Sequence, residues 1–238
     1  MTARRRVGIL GGMFDPIHCG HLDAAAAAQQ ALRLDEMLVL PSNIPPHRAQ
    51  PVASTYHRFA MVALAIAGRA GWRAVDLELR ETAPSYTSRT LGRLHAEGFR
   101  TGELFFITGA DAFVEIGGWK DYPALLDLAH FAVVSRPGTP ASSMPDRLPT
   151  LASRMYRPAE VPATVRSTVI FLIDSATTDV SSTAIRRACA AGESIAGMVP
   201  HAVRQHIDQH RLYGGPAPAG ESGRESGHQP AGRLHGQD

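Results

Sequence analysis

Short apolar runs that alternate with helix-forming stretches constrain this chain more than any other feature. Val7-Gly8-Ile9-Leu10, Met37-Leu38-Val39-Leu40, Leu104-Phe105-Phe106-Ile107-Thr108, Phe131-Ala132-Val133-Val134 and Thr168 to Ile173 each read as a buried strand. Trp72 to Leu79 alternates apolar and polar residues, with Val75, Leu77 and Leu79 on one face, and reads as a half-buried strand. Between these lie helical stretches. They are Asp23 to Leu34, Ser54 to Ala70 with Phe59, Val62, Ala63 and Ile66 at helical spacing, Ser88 to Glu97, a helix ending in Leu125 to Leu128, one opening at Val180 to Arg187, and Pro200 to Arg211. Strand-helix alternation predicts an α/β fold: a Rossmann-like, doubly wound parallel sheet with helices on both faces, forming a single domain over residues 1–213. Ligands of such sheets bind at the carboxyl edge of the strands.

Two stretches fall outside the alternation. Residues 139–167 are rich in Pro, Ser, Thr and Ala, and read as a long surface connection with a short helix near Leu148 to Met155. Residues 214–238 have low-complexity composition without apolar periodicity and are expected to be disordered.

Bulk composition excludes several classes of function. The chain has 238 residues, 44% of them hydrophobic and 19% charged, with a net charge of +2. That balance fits a globular protein and points neither to nucleic acid nor to a membrane surface. No apolar run approaches the ~20 residues of a membrane helix, and the basic start lacks a signal-peptide pattern. The two cysteines, Cys19 and Cys189, form no C-x-x-C pair, so a zinc ribbon or thioredoxin-type site is unsupported. The expected location is the cytoplasm, with reduced thiols.

The first strand runs into Gly11-Gly12-Met13-Phe14-Asp15-Pro16-Ile17-His18-Cys19-Gly20-His21-Leu22. Glycines allow close approach of backbone to a ligand. A helix start offers N–H groups and partial positive charge to phosphate. His18 and His21, three apart, sit at that entrance. The combination suits a nucleoside triphosphate. G-x-G-x-x-G is absent, and so is G-x-x-x-x-G-K-[ST], the only lysine being Lys120. A zinc site on His18 and His21 would lack both the H-E-x-x-H glutamate and a third ligand.

Other strand ends carry further candidates. Pro41 to Arg48 holds Asn43, His47 and Arg48 in an extended loop. Pro84-Ser85-Tyr86-Thr87 precedes a helix that Thr87 or Ser88 would cap. Gly109-Ala110-Asp111 follows the strongest strand, with Asp111 either a helix cap or a nucleotide contact. Gly117-Gly118-Trp119-Lys120 sets Trp119 either in the core or against a flat ring. Arg136 lies in the Ser135-Arg136-Pro137-Gly138 turn. Ser181, Ser182 and Thr183 with Arg186 make either a second phosphate cradle at a helix start or a plain N-cap followed by a solvated Arg.

Taken together, these motifs resemble bacterial nicotinate-nucleotide adenylyltransferases, within the nucleotidylyltransferases that carry G-x-F-D-P-x-H-x-G-H. The resemblance extends to about Tyr213. It implies adenylyl transfer from ATP to nicotinate mononucleotide, in the biosynthesis of NAD. His18, His21 and Arg186 would be catalytic, stabilising charge as pyrophosphate leaves. Gly11, Gly12, Met13, Phe14, Gly109, Asp111, Ser181, Ser182 and Thr183 would bind ATP. Asn43, His47, Thr87, Trp119 and Arg136 would bind the mononucleotide. Mg²⁺ would arrive with the ATP phosphates, with no metal site on the protein itself. The other expected partners exclude nucleic acid and membrane, and the chain would be a monomer or small homo-oligomer. Two positions depart from the family pattern: Met13 stands where Thr or Ser is usual, and Val180 where Ile is usual. The rival readings are a sister transferase using phosphopantetheine or nicotinamide mononucleotide, and a nucleotide-binding module without catalysis.

Overall fold

Side chains point alternately to the two sides of a strand, and that alternation builds two cores on one sheet. A computed structural model of the chain describes residues 5–44, 50–81, 83–162 and 164–214. The elements run β1 (Val7–Gly12), α1 (Cys19–Leu32), β2 (Glu36–Pro41), α2 (Thr55–Ile66), β3 (Trp72–Ala74), α3 (Thr87–Ala96), β4 (Leu104–Gly109), the single turn α4 (Ala110–Phe113) and β5 (His130–Val134). Then follow α5 (Met144–Arg147), β6 (Met155–Tyr156), β7 (Ile170–Ile173), α6 (Ser182–Ala191) and α7 (His201–Gln209). The strands form one parallel sheet in the order β3-β2-β1-β4-β5-β7-β6.

Leu10, Met37, Val39, Phe105, Ile107, Ala132, Val134, Phe171 and Ile173 face one core, which α1, α2, α6 and α7 cover. Val7, Ile9, Leu38, Leu40, Leu104, Phe106, Phe131, Val133, Ile170 and Leu172 face the other, covered by α3, α4 and α5. The predicted doubly wound α/β sheet is therefore present. The chain leaves β1 toward β2 on one side and returns to β4 on the other, so a crevice opens between the carboxyl ends of β1 and β4.

Several expected boundaries move, for identifiable reasons. α1 begins at Cys19 rather than Asp23, because His18 already occupies the N-cap position. α2 stops at Ile66, before the predicted Ala70: Gly68 and Gly71 take left-handed φ of 78° and 77°. The strand predicted over Trp72 to Leu79 holds only three residues. Buried Leu77 belongs to the second core and the chain turns through Glu78–Arg80, leaving the β2 edge. Thr87 begins α3 and Ser88 is its second residue, so neither caps it; Tyr86 holds the cap position without a side-chain bond. The stretch at Leu125 to Leu128 is a 3₁₀ turn over Ala124–Asp127 rather than a helix end.

Residues 139–167 are more than a surface connection. They bury Ala141, Met144 and Leu151 and add β6 to the sheet, pairing Met155 with Ile170 and Tyr156 with Phe171. α7 ends at Gln209, short of the predicted Arg211, which already takes a φ of 49°. The expectation of a disordered tail concerns residues 214–238, of which all but Gly214 lie outside the described residues.

Candidate active site

After β1 the chain crosses the sheet edge in five residues, and their polar groups are held from below. The turn contains Phe14 at φ 47° and a cis Asp15–Pro16 peptide. The Asp15 carboxylate, 1% exposed, accepts hydrogen bonds from the backbone N–H of Val52 (2.7 Å) and Ala53 (3.1 Å) and from the Tyr213 hydroxyl (2.7 Å). Three donors commit this carboxylate to the fold. Arg58 on α2, also 1% exposed, donates to the carbonyls of Met13 (2.8 Å) and Ser42 (2.5 Å). One guanidinium thereby ties the turn after β1 to the loop after β2. Burial pulls Arg58 below the usual guanidinium range, and the Asp15 carboxylate is the largest opposing influence. Burial, followed by the hydrogen bond to Asp15, keeps the Tyr213 phenol protonated. None of Asp15, Arg58 and Tyr213 was among the candidate residues. Arg58 did leave a signal, since it shares a helix face with the apolar Val62 and Ala65.

His18 is the N-cap of α1, and the residue is 2% exposed. It stacks on His21 with centroids 3.6 Å apart and planes inclined by 24°. The His18 backbone N–H donates to His21 Nδ1 at 3.3 Å, which places the neutral His21 proton on Nε2. Phe14 packs edge-on against His21 at 5.0 Å. Burial, then the nearby Arg136, lowers the His18 pKa to about 4 against the opposing pull of Asp23. His18 is thus neutral at pH 7, and its Nδ1 is buried without a hydrogen-bond partner among the described residues. A buried polar atom left this way calls for a ligand or water.

Arg136 reaches this turn from the end of β5. Its Nη1 donates to the Gly20 carbonyl (3.3 Å) and its Nη2 to the Val180 carbonyl (3.2 Å). A Cβ on Gly20 would lie 2.8 Å from both Arg136 Nη1 and the Thr178 carbonyl, so only glycine admits the guanidinium here. At Gly11 a Cβ would meet nothing closer than Phe106 at 3.6 Å. The fold does not require that glycine, and its openness suits a ligand approaching the backbone.

The start of α6 docks onto the same turn. Ser181 caps the helix by accepting from Ala184 N–H (3.1 Å), and Ser182 Oγ donates to the Pro16 carbonyl (2.9 Å). Arg186 donates to the Asp15 carbonyl (2.8 Å) and to Thr183 Oγ1 (3.3 Å). Asp23 on α1 accepts from both the N–H and the hydroxyl of Thr178 (2.9 and 2.6 Å). The starts of α1 and α6 consequently lie side by side, with Arg136 and Arg186 at their junction. Gly109, at the end of β4, packs against Arg136 and is itself the cap residue of α4. Asp111 therefore does not cap that helix; its side chain is exposed.

A second wall rises beyond β2. Asn43 N–H donates to Ser85 Oγ (3.0 Å), its side-chain amide to the Glu81 carbonyl, and Ser85 N–H to the Ile44 carbonyl (2.9 Å). Those bonds fasten the loop after β2 to the segment entering α3. Next to Thr87, Ser88 Oγ donates to Asp121 Oδ2 (2.6 Å), and Lys120 Nζ sits over the Tyr86 ring at 5.5 Å. Trp119 is half-buried, edge-on to Phe106 at 6.1 Å. Asn43, Thr87 and Trp119 are thereby brought to one wall, whereas Arg136 stands with the two helix starts. His47 and Arg48 lie outside the described residues. Cys19 is half-buried, and burial followed by Asp23 raises its thiol pKa, which makes it a poor nucleophile. A separate hollow of about 510 Å³ opens beside Thr101, His130 and Thr168, at the amino ends of β4, β5 and β7, and no motif residue lines it.

Residues 9–188, which hold nearly all of the parallel sheet and both helix starts, match the cytidylyltransferase-like family. The chain is 40% identical over 217 residues to a probable nicotinate-nucleotide adenylyltransferase of Desulfatibacillum aliphaticivorans, an alignment covering 87% of this chain and 99% of that one. A protein of the same description from Cronobacter sakazakii is 39% identical, with 85% and 93% covered. Within the cytidylyltransferase-like proteins, the chain belongs to the nicotinate-nucleotide adenylyltransferase family. The same fold occurs in the Plasmodium falciparum nicotinic acid mononucleotide adenylyltransferase complexed with NaAD (TM-score 0.67, 17% identity, 88% of this chain and 97% of that one).

Proposed function

We infer that the chain transfers the adenylyl group of ATP to nicotinate mononucleotide, forming nicotinate adenine dinucleotide and pyrophosphate. Family membership supports that activity. For the roles of individual residues, the observation that carries the reading is the junction of α1 and α6, where His18, His21, Arg136 and Arg186 surround one spot. A triphosphate laid there meets two helix starts and two guanidinium groups.

The phosphate oxygen of the mononucleotide is already ionised at neutral pH. It attacks the α-phosphorus of ATP in line; the bond to the β-phosphate oxygen breaks and pyrophosphate departs. No general base is needed, so catalysis consists of positioning and stabilisation of charge. Neutral His18 and the His21 ring contribute hydrogen bonds, while Arg136 and Arg186 contribute charge. Because Arg136 stands with the helix starts, its role shifts from the mononucleotide phosphate toward the transferring phosphates. Thr87 and the segment around Trp119 read the nicotinate, with the Trp119 ring against the pyridine. Asn43 fixes its own loop through Ser85 and Glu81.

Mg²⁺ enters as part of the ATP substrate. Asp15 is the only carboxylate of the first turn, and it is fully engaged by three donors. The residues present therefore suit an ion held by phosphate oxygens and water. Among the described residues no helix is long and apolar enough to cross a membrane.

Pyrophosphate release from ATP and Mg²⁺ with nicotinate mononucleotide, nicotinamide mononucleotide or phosphopantetheine as acceptor tests the assignment. The expected result is turnover mainly with the nicotinate form. Preference for the amide would remove the carboxylate-reading role of the Thr87 and Trp119 wall. Silence with all three acceptors would overturn the transferase itself.

A further inference from the structure

Away from the crevice, where α7 packs against α2, three histidines converge. His57 lies in the first turn of α2; His206 is on α7 and His210 follows as its C-cap, four residues on. That spacing puts His206 and His210 one above the other on the helix surface. His57 Nδ1 is 3.1 Å from His206 Nε2, and one ring nitrogen from each of the three lies within 4.8 Å of the others. Ring centroids are separated by 5.2, 4.8 and 4.4 Å. Among the described residues, none of the three forms an ion pair with a carboxylate.

We propose that His57, His206 and His210 form a binding site for one divalent transition metal of the zinc class, which clamps α7 to α2. Zinc–nitrogen bonds of about 2.0–2.1 Å in a tetrahedron set ligand nitrogens about 3.3 Å apart. The first pair already stands near that spacing. His210 is exposed and closes the remaining distance by side-chain rotation. Three imidazoles favour Zn²⁺, Co²⁺ or Ni²⁺ over the oxygen-seeking Mg²⁺ that accompanies ATP. Water fills the fourth position. The site uses neither His18 nor His21, and it stands apart from the reacting phosphates.

Its placement gives the clamp a purpose. Arg58, beside His57, holds the Met13 and Ser42 carbonyls. Tyr213, three residues past His210, holds Asp15. Both arms of the clamp thus end on the first turn, and a bound metal would restrain them together.

The test is a Co²⁺ titration of the chelator-treated full chain, read by visible d–d absorption with Zn²⁺ as competitor. It is repeated on His206→Gln, on the exposed-site variant His210→Gln, and on a His228→Ala/His235→Ala double variant of the tail. One equivalent of Co²⁺ should bind with an intense tetrahedral-type spectrum that Zn²⁺ abolishes. Each of the two α7 variants should weaken binding by about 10-fold or more, and the tail variant should not. Zn²⁺ should raise the melting temperature of the parent chain by more than that of His210→Gln. Absence of the tetrahedral bands, binding unchanged in His210→Gln, or binding lost in the tail variant would each overturn the site.

Discussion

Replacing Arg58 by Met isolates the pin beneath the crevice. The substitution keeps an unbranched apolar stem on the buried face of α2 and removes the guanidinium. Two charge-assisted bonds disappear, those to the Met13 carbonyl at 2.8 Å and the Ser42 carbonyl at 2.5 Å. The third, to the Asn43 carbonyl at 3.5 Å, is at the limit of a hydrogen bond and is counted as nothing. Bonds to charged groups contribute about 1.5–3 kcal/mol each, a gross loss of about 3–6 kcal/mol. Relief from burying a cation offsets part of it; that burial is what lowers the Arg58 pKa. The expected net loss is about 2–4 kcal/mol. For a domain of this size that is a melting temperature lower by about 4–16 °C. Urea unfolding and a thermal scan measure it. Activity well below the melting temperature should also fall, because the two released carbonyls belong to the loops after β1 and β2, on one side of the crevice. Arg58→Lys, with a single ammonium in place of a fork, should recover only part of either quantity. A Met variant within about 0.5 kcal/mol of the parent, or more stable than it, would show that desolvation outweighs the bonds and that Arg58 is no pin.

Four further outcomes are expected. His21→Ala should lower kcat by at least ~10²-fold with an unchanged circular dichroism spectrum; near-normal turnover would remove His21 from catalysis. Since the folded-state pKa of His18 is about 4, below the ordinary 6.5, the unfolded chain takes up this proton first on acidification. Stability due to this group is complete above pH 6.5 and falls as the pH drops, by up to about 2 kcal/mol between pH 6.5 and 5. Urea midpoints at the two pH values should show that loss in the parent and a flatter profile in His18→Asn; parallel profiles would contradict the burial argument. Tyr213→Phe should cost about 1.5–3 kcal/mol through the lost bond to Asp15, and equal unfolding midpoints would show the contact to be idle. Trp119→Ala should raise KM for the mononucleotide by about 10-fold, the worth of a stacked ring, while leaving KM for ATP unchanged; the reverse pattern would place the ring on the adenine side.

Much of the sheet was legible because β1, β2, β4, β5 and β7 are continuous apolar runs that only a strand buried on both faces explains. The edges were not. β3 stops after three residues because Leu77 and Glu78 turn toward α3, where Thr90 Oγ1 donates to Glu78. β6 is two residues whose pairing with β7 leaves no local pattern. In the site, His18, His21, Ser181 to Thr183 and Arg186 were readable because each stands at a helix start, which sequence marks. Arg58 and Tyr213 were not singled out, since their partners lie 45 and 198 residues away in the chain. Helix composition cannot reveal which carbonyls a buried guanidinium will meet. Nor could periodicity place Arg136 at the junction of α1 and α6; its reach from β5 to Gly20 and Val180 exists only in three dimensions.

The bond from Tyr213 to Asp15 also bears on how the protein is made. Synthesis proceeds at about 5–20 residues per second, so the 198 residues that separate the two partners represent about 10–40 s of translation. Throughout that interval Asp15 has emerged from the ribosome without the hydroxyl that completes its set of donors. A chain released before residue 213 never acquires it. The first motif to be translated is thus the last to be finished, and a product terminated between residues 187 and 212 would hold every residue proposed to bind phosphate around a turn that is incompletely anchored.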